Sequence, residues 1–221
     1  MGEVSVAAGD VNHDGFADII VTASSQGHTR VFDGKTGNQL PGVIGSFFAF
    51  PGFTGAVSVT SADVNHDGFS DVIVGASVNG HVKMYDGKTG ALFFSQLVLP
   101  GTTGPISLAA GDVSGDGFAD VIVGAGAGVS GNEVTILDGS AASGNKVSVR
   151  GTLNPFNGFP GGVRVGTVDR AADLLSNIVV GSGTGAMATV QVFDALTLNV
   201  TLGLFPFGAF PGGVFVSNAG H

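Results

Sequence analysis

Several residue types are absent or scarce in this 221-residue chain, and each absence excludes a class of structure or partner. There is no cysteine, so disulfide bonds and thiolate metal sites are excluded. No apolar run reaches the roughly 18 residues that a membrane-spanning segment needs, so no insertion into a membrane is expected. Lys and Arg total only 8 and form no basic stripe. Nucleic acid is therefore not an expected partner, because nothing would neutralise its phosphates.

The negative charge of the chain is concentrated in a few places. The formal net charge is −9, from 17 Asp and Glu against 8 Lys and Arg. Nine of the acidic residues fall in three short Asp-rich segments, and the other eight equal the basic residues in number. Outside these segments the chain is formally neutral, so the segments are the first candidates for a functional site.

Glycine is the residue type in clear excess. The chain contains 39 glycines, well over double the usual share of about 7%. Glycine weakens helices and accommodates tight turns, and no apolar stripe of helical period is present. The composition therefore predicts an all-β protein of short strands joined by tight loops.

An internal repeat of about 50 residues indicates the architecture. A short apolar strand recurs five times, at successive offsets of 53, 49, 57 and 51 residues, and a glycine stands two residues before each copy. The five copies are Val4–Val6, Val57–Val59, Ile106–Leu108, Val163–Val165 and Val214–Val216. Such a regular register favours a repeat fold over a single irregular domain.

Each repeat predicts four antiparallel strands, which make one blade of a β-propeller. The first strand leads into an Asp-rich loop, a β-branched run, an alternating strand that ends in Asp-Gly in the first three repeats, and a fourth strand that ends before Pro-Gly. We therefore predict one β-propeller array over 1–221. Its blades would lie at approximately 2–54, 55–103, 104–160 and 161–211, followed by an extra strand at 212–221.

The three Asp-rich loops have the spacing of a calcium site. Oxygen-bearing side chains occupy loop positions 1, 3, 5 and 9, position 7 would contribute its backbone carbonyl, and the glycine at position 6 permits the sharp turn. An all-oxygen shell suits Ca²⁺ better than Zn²⁺ or Cu²⁺. The predicted ligands are Asp10, Asn12, Asp14, Phe16 (backbone) and Asp18; Asp63, Asn65, Asp67, Phe69 (backbone) and Asp71; and Asp112, Ser114, Asp116, Phe118 (backbone) and Asp120.

An Asx-rich turn and an EF-hand are the alternatives to this calcium site, and a fourth loop departs from the pattern. A single loop of this kind is also compatible with an ordinary Asx-rich turn, but three copies in one register that hold all the excess charge favour calcium. An EF-hand is rejected, since position 12 is valine instead of a bidentate Glu. The fourth loop, Asp169–Asn177, lacks the oxygen at position 3 and the glycine at position 6, and Arg170 adds positive charge. We expect no calcium there.

These loops and strands together resemble the FG-GAP/VCBS-type repeat. The resemblance is carried by the D-x-N-x-D-G-F-x-D loop between two strands and by the Val-Gly-Ala that follows, at Val74–Ala76 and Val123–Ala125. It spans essentially the whole chain and is strongest in the first three repeats. It implies a propeller like the head of integrin α chains or of secreted bacterial proteins, with calcium bound between the first two strands of a blade. Members of that family usually carry more blades than the four counted here.

The sequence favours binding over catalysis. No nucleophile, zinc-protease or phosphate-loop motif is present, and the histidines follow the repeat, with His13 and His66 expected on the surface at loop position 4. We expect an extracellular or cell-surface scaffold, secreted and bacterial, that binds a protein ligand as adhesion modules do. The alternative is a carbohydrate-binding propeller or a non-catalytic domain of a polysaccharide-degrading enzyme. Sugar sites usually use aromatic faces, but the chain has no Trp and one Tyr.

The aromatic residues and the C-terminal strand complete the expectations. The 17 phenylalanines are interpreted as packing between blades, for example Phe47, Phe48, Phe50, Phe53, Phe205, Phe207 and Phe210. The extra strand at Val214–Val216 has no blade of its own and would expose unpaired backbone. We therefore expect a homo-oligomer formed through this strand, most simply two chains that make one larger ring by two-fold symmetry. The alternative is that the chain is a fragment of a longer array, with this strand packing on blade four.

Overall fold

The structure, a computed structural model, consists of four antiparallel sheets of four strands each. It describes residues 3–128, 132–139, 147–169, 175–185 and 187–217. Within every sheet the strands are neighbours in chain order, as expected for propeller blades. The predicted all-β fold of four repeated blades is confirmed. The described residues include one helix, α1 (Gly42–Gly45), which is far too short to cross a bilayer.

The sixteen strands divide evenly among the four blades. Blade one contains β1 (Val4–Gly9), β2 (Asp18–Ala23), β3 (His28–Phe32) and β4 (Ser46–Phe48). Blade two contains β5 (Val57–Ala62), β6 (Asp71–Ala76), β7 (His81–Tyr85) and β8 (Leu92–Leu97). Blade three contains β9 (Ser107–Gly111), β10 (Asp120–Gly124), β11 (Val134–Asp138) and β12 (Ser148–Leu153). Blade four contains β13 (Val163–Asp169), β14 (Ser176–Ser182), β15 (Val190–Phe193) and β16 (Val200–Leu204).

The hydrophobic core lies between consecutive blades. The first core joins Ile20 and Val31 of blade one to Val57, Val72 and other residues of blade two. The second joins blades two and three, and the third joins blades three and four. The second strands of blades two and three, β6 and β10, are buried at every residue, which explains their continuous Val/Ile runs. The first strands follow one another, with β1 against β5, β5 against β9 and β9 against β13.

The glycine of the Val-Gly-Ala motif allows this close approach of blades. A Cβ added to Gly124 would lie 2.9 Å from Cγ1 of Val165 and 3.0 Å from Cγ2 of Val163. Both valines belong to the first strand of the next blade. A larger side chain would therefore push β13 away from β10.

The prediction that phenylalanines pack between blades is right for Phe47, Phe50 and Phe53 of blade one, but it is wrong for Phe48 and for the three phenylalanines of blade four. The Phe47 ring lies 4.3 Å from that of Tyr85, and the Phe50 ring 5.2 Å from that of His81, both in the next blade. Phe53 packs against the same core. In contrast, Phe48, Phe205, Phe207 and Phe210 are exposed. The last three lack cover because no further blade follows blade four in the described structure.

The C-terminal segment continues the stacking of first strands. Val214 N–H donates to the carbonyl of Ser182 at 2.9 Å, just as Val163 N–H donates to the carbonyl of Ala125 at 2.9 Å one repeat earlier. Residues 212–217 therefore lie against blade four where the first strand of a next blade would lie. The remaining residues of the predicted extra strand, 218–221, are outside the described part of the chain.

Candidate metal centre

The three Asp-rich loops lie side by side at one end of the blades. Each connects the first and second strands of its blade. The backbone carbonyl of Asp10 accepts a hydrogen bond from Ser70 N–H at 2.9 Å, and that of Asp63 accepts one from Ala119 N–H at 3.4 Å. Position 1 of one loop is thus joined to position 8 of the next, so consecutive loops form one connected row.

The aspartate at position 1 winds each loop around its own carboxylate. Asp10 accepts hydrogen bonds from Asp14 N–H at 3.0 Å and Gly15 N–H at 2.9 Å. Asp63 repeats both bonds in the second loop, with Asp67 and Gly68. The position 6 glycines have φ values of 86°, 89° and 87°, a left-handed conformation that glycine adopts without strain.

The third loop is wound slightly differently. The Asp112 carboxylate accepts from Gly117 N–H at 2.9 Å, as in the other loops, but also from Gly115 N–H at 2.6 Å. Position 4 here is glycine with φ 80°, whereas His13 and His66 hold φ values of 59° and 58° at that position. Positive φ is costly for non-glycine residues, so all three loops depend on an unusual backbone at position 4.

The aspartate at position 9 is completely buried and ties the loop to another part of its blade. One carboxylate oxygen of Asp18 accepts from Val11 N–H at 2.9 Å, and the other accepts from Gly34 N–H at 2.9 Å. Gly34 follows Asp33 in the Asp-Gly turn after β3. Asp71 makes the same two kinds of bond with Val64 and Gly87, and Asp120 with Val113 and Gly139.

Burial makes these position 9 carboxylates hard to ionise. The pKa of Asp71 is raised to about 7, chiefly by loss of solvent and also by the negative charges of Asp86 and Asp63, while the N–H bonds from Gly87 and Val64 oppose the shift. Burial also raises the pKa of Asp18 and of Asp120. A cation at the loop would lower the pKa of these carboxylates, since it favours their charged form.

The aspartate of the Asp-Gly turn is a loop partner that the sequence analysis missed. The amide nitrogen Nδ2 of Asn12 donates to Oδ2 of Asp33 at 3.2 Å, and Asn65 donates to Asp86 at the same distance. The signal was present, because Asp-Gly-Lys-Thr-Gly occurs in both repeats. By itself this pattern predicts only a turn, since nothing local shows that the turn meets the loop 21 residues earlier.

The predicted ligands share one loop in each of the first three blades, where several of their oxygens accept backbone N–H bonds. Asn12 Oδ1 accepts from Asp14 N–H, and Asp14 Oδ1 accepts from Phe16 N–H, both at 3.0 Å. The side-chain oxygens thus face backbone donors. Over the described residues, no three or more His, Cys, Asp or Glu side chains form a group arranged to hold a metal ion. The donor set is nevertheless all-oxygen, which is the chemistry that Ca²⁺ prefers.

The comparisons with known proteins identify the family. A description of the FG-GAP-like repeat matches residues 10–74 and again 63–123, which together span just over half of the chain. The chain belongs to the FG-GAP-like repeat family. Both matches begin at position 1 of an Asp-rich loop and end in the second strand of the following blade. No curated protein matches the FG-GAP chain in sequence.

Solved structures resemble the FG-GAP chain in fold only. Sqt1 of Saccharomyces cerevisiae has a TM-score of 0.57 and 9% identity, over 87% of this chain and 48% of its own. An Agrocybe aegerita lectin that recognises non-reducing terminal N-acetylglucosamine has a TM-score of 0.55 and 16% identity, over 94% of this chain and 54% of its own. Rhamnogalacturonan lyase PL11 of Bacillus licheniformis has a TM-score of 0.51 and 12% identity, over 92% of this chain and 51% of its own. The chain thus spans about half the length of these structures.

Aromatic contacts connect consecutive FG-GAP loops. The exposed His13 ring lies 5.1 Å from the Phe69 ring of the next loop, and His66 lies 5.1 Å from Phe118. On its own blade, Lys88 Nζ lies 5.0 Å from the Phe69 ring centroid. The histidines are on the surface, as the sequence predicts, but they also bridge neighbouring blades.

The fourth FG-GAP loop lies mostly outside the described residues, since 170–174 are not described. The expectation that it binds no calcium therefore stays a prediction. The row of loops does reach it, because Ser176 N–H donates to the carbonyl of Asp112 at 2.8 Å.

Proposed function

We propose that this FG-GAP chain is a calcium-stabilised binding scaffold that works outside the cell, with one Ca²⁺ in each of its first three loops. The observation that carries the proposal is the threefold repetition of one all-oxygen loop, which holds all the excess negative charge of the chain. Asp, Asn and Ser side chains at positions 1, 3, 5 and 9, with the carbonyl at position 7, would hold the ion.

Ion binding would change the partners of the loop carboxylates. Asp10 is half-buried and Asp14 is exposed, and the carboxylates of both accept backbone N–H bonds from the loop. Each carboxylate oxygen can accept more than one partner, so a small rotation would turn these oxygens towards an ion without undoing the loop. Asp18 would contribute a buried charge whose cost the ion would offset.

Calorimetric titration of the metal-free chain with Ca²⁺ tests this part of the proposal. We expect three ions per chain, and two per chain for Asp67→Ala, which removes the position 5 carboxylate of the second loop. Asp194→Ala is the matched control, because Asp194 caps a turn of blade four outside the three loops; it should still take up three. Absence of calcium uptake, or equal uptake by Asp67→Ala and the unmodified chain, would refute the sites.

The proposed location follows from the affinity expected of such loops. Extracellular calcium modules bind with dissociation constants of about 10⁻⁴–10⁻³ M, so they fill outside the cell and stay largely empty in the cytosol. We propose a secreted or cell-surface protein, of the bacterial type, with a protein ligand and no catalytic role. A gene that lacks any export signal would contradict this location.

The alternative proposal is a carbohydrate ligand. Two of the fold neighbours are a lectin and a rhamnogalacturonan lyase by name, and exposed rings are available on blade four at Phe205, Phe207 and Phe210. Against it, Tyr85 is buried between blades and there is no Trp. A glycan array probed with the calcium-loaded chain separates the two. Calcium-dependent binding to a defined glycan would establish the alternative, and binding only to proteins would establish the first proposal.

A further inference from the structure

The aspartate that follows the third strand of blade two uses its two carboxylate oxygens for different purposes. Asp86 Oδ1 accepts Thr89 N–H at 2.7 Å and so closes the Asp-Gly turn after β7. Asp86 Oδ2 accepts the side-chain amide nitrogen Nδ2 of Asn65 at 3.2 Å. Asn65 is position 3 of the second Asp-rich loop, so only one oxygen of this carboxylate serves the turn and the other serves the loop.

The side-chain amide of Asn65 is held at both of its ends. Its Nδ2 donates to Asp86, and its Oδ1 accepts from Asp67 N–H at 3.0 Å. Only one orientation satisfies both partners, because a reversed amide would place its oxygen against the Asp86 carboxylate and its NH2 group against the Asp67 N–H. A carboxylate only accepts hydrogen bonds, so Asp86 determines which side of the Asn65 amide carries the oxygen.

The first blade repeats this arrangement, and the third loop has a different residue at position 3. Asn12 Nδ2 donates to Asp33 Oδ2 at 3.2 Å, and Asn12 Oδ1 accepts from Asp14 N–H at 3.0 Å. The third loop has Ser114, whose hydroxyl donates to Asp112 of its own loop at 3.3 Å. A hydroxyl carries its donor and its lone pairs on one atom, so it can offer oxygen to an ion in any orientation.

The same turn also holds the position 9 aspartate of its loop. Gly87 N–H donates to Asp71 at 3.0 Å, and Gly34 N–H donates to Asp18 at 2.9 Å in the first blade. Adjacent residues of one turn therefore contact two of the predicted ligands, at positions 3 and 9. A turn that contacts both ligands fixes them relative to each other.

We propose that Asp33 and Asp86 are positioning residues for calcium, each holding the position 3 asparagine of its loop so that the amide oxygen, and not the NH2 group, is turned towards the loop. This inference rests on the proposed function, since it concerns ligands of the same sites. An amide can bind a cation only through its oxygen, because its NH2 group is a donor without an available lone pair.

Replacing the aspartate by asparagine or by alanine separates orientation from charge. Asp86→Asn keeps an oxygen for the turn but places an NH2 group where Asn65 needs an acceptor, so the Asn65 amide should reverse. Asp86→Ala removes the same charge but leaves no partner that dictates the orientation of Asn65. We expect Asp86→Asn to weaken calcium binding in the second loop by about 10- to 100-fold, as is typical when a residue behind a metal ligand is lost. Asp86→Ala should weaken it less.

A calcium titration of the whole chain followed by NMR measures each loop separately. The reporters are the backbone N–H signals of the position 6 glycines, each of which donates to the position 1 aspartate of its own loop: Gly15, Gly68 and Gly117. In Asp86→Asn only the midpoint at Gly68 should rise. Asp194→Asn is the matched control, because Asp194 accepts Thr197 N–H at 2.8 Å in the corresponding turn of blade four. It should change none of the three midpoints.

A double substitution should rescue the second loop. Asn65→Asp combined with Asp86→Asn restores the net charge of the pair. The new carboxylate has oxygen on both sides, so it can accept from the NH2 group at position 86 and still offer an oxygen to the loop. The Gly68 midpoint should return most of the way to that of the unmodified chain.

A calcium-free measurement tests the orientation by itself. In EDTA, the side-chain NH2 signal of Asn65 should shift in Asp86→Asn and stay unchanged in Asp194→Asn. Circular dichroism should show that the variants fold. Asp33→Asn makes the same test in the first loop, read at Gly15, and does not depend on how well Asp86→Asn folds.

The outcomes separate this inference from the proposed calcium sites. Equal Gly68 midpoints in the unmodified chain and Asp86→Asn, equal losses in Asp86→Asn and Asp86→Ala, or a double variant no better than Asp86→Asn would overturn the positioning role and leave calcium binding intact. Position 6 glycine signals that do not respond to calcium in the unmodified chain would contradict the calcium sites, and this proposal with them.

Discussion

At the scale of single residues, the buried aspartate at loop position 9 is the main structural element of each loop. Asp18, Asp71 and Asp120 accept backbone N–H bonds from the loop on one side and from the Asp-Gly turn on the other. They therefore hold the blade together whether or not an ion is bound. The aspartates at positions 1 and 5 are exposed or half-buried and accept N–H bonds from their own loop, and we expect their removal to affect calcium uptake most selectively.

Replacing Asp71 should destabilise the chain even without calcium. Asp71→Ala leaves the buried N–H groups of Val64 and Gly87 without their acceptor, at roughly 1–3 kcal/mol for each. We expect a loss of about 2–5 kcal/mol in the free energy of unfolding, measured by urea denaturation in EDTA. Asp14→Ala, at an exposed position, should change it by less than about 0.5 kcal/mol under the same conditions. Equal effects of the two substitutions would show that position 9 is only a ligand.

At the scale of strands and turns, glycine determines how closely the pieces of a blade approach. Gly104 stands two residues before the first strand of blade three, where every repeat has glycine. A Cβ there would lie 2.7 Å from the backbone nitrogen of Ala127 and 2.8 Å from its carbonyl oxygen. Backbone atoms cannot yield as a flexible side chain can, so this glycine is required by packing.

Two glycine substitutions should therefore have opposite outcomes. Gly104→Ala should lower the free energy of unfolding by about 1–3 kcal/mol, because the added carbon overpacks a filled space. Gly203→Ala in β16 has no atom within 4 Å of the added carbon, and it should be neutral or stabilise by up to about 1 kcal/mol through the unfolded state. Thermal or urea unfolding of the pair measures both. If Gly104→Ala leaves the free energy of unfolding unchanged, the backbone at Ala127 must be able to shift and make room for the added carbon.

At the scale of the whole molecule, the blades form an array whose cores lie between neighbours. The stability of such an array is the sum of its units and their interfaces. Blades two and three are covered on both faces, whereas Val4, Val6 and Ile19 of blade one and Phe210 of blade four are exposed. The two end blades should be the weakest parts of a single chain.

Hydrogen exchange should reveal this gradient. At low concentration, amides of β6 and β10 should exchange more slowly than those of β2 and β14, because the end blades open without breaking a second interface. Calcium should slow exchange in the first three loops, and each occupied site adds about 1.4 kcal/mol when free calcium is ten times the dissociation constant. Uniform protection across all four blades at low concentration would contradict the gradient.

The repeat in the sequence was enough to predict four blades, their strand order and the position of each Asp-rich loop. This works because strand alternation, β-branched runs and Asp-Gly turns are local features, and a fivefold recurrence removes most of the ambiguity of any single copy. The left-handed turn at the position 6 glycines follows from the same local chemistry. The family resemblance rests on these residues too.

Only the tertiary structure decided which of these residues are buried and what they meet. Asp18 and Asp14 look alike in the sequence, yet one is enclosed and the other exposed. The partnership of Asn12 with Asp33 depends on β3 returning beside the loop. Phe50 and Phe210 occupy the same place in their repeats, but only Phe50 is covered. Burial is set by the neighbouring blade, which a local pattern does not contain, and so the open faces at the two ends emerged only from the structure.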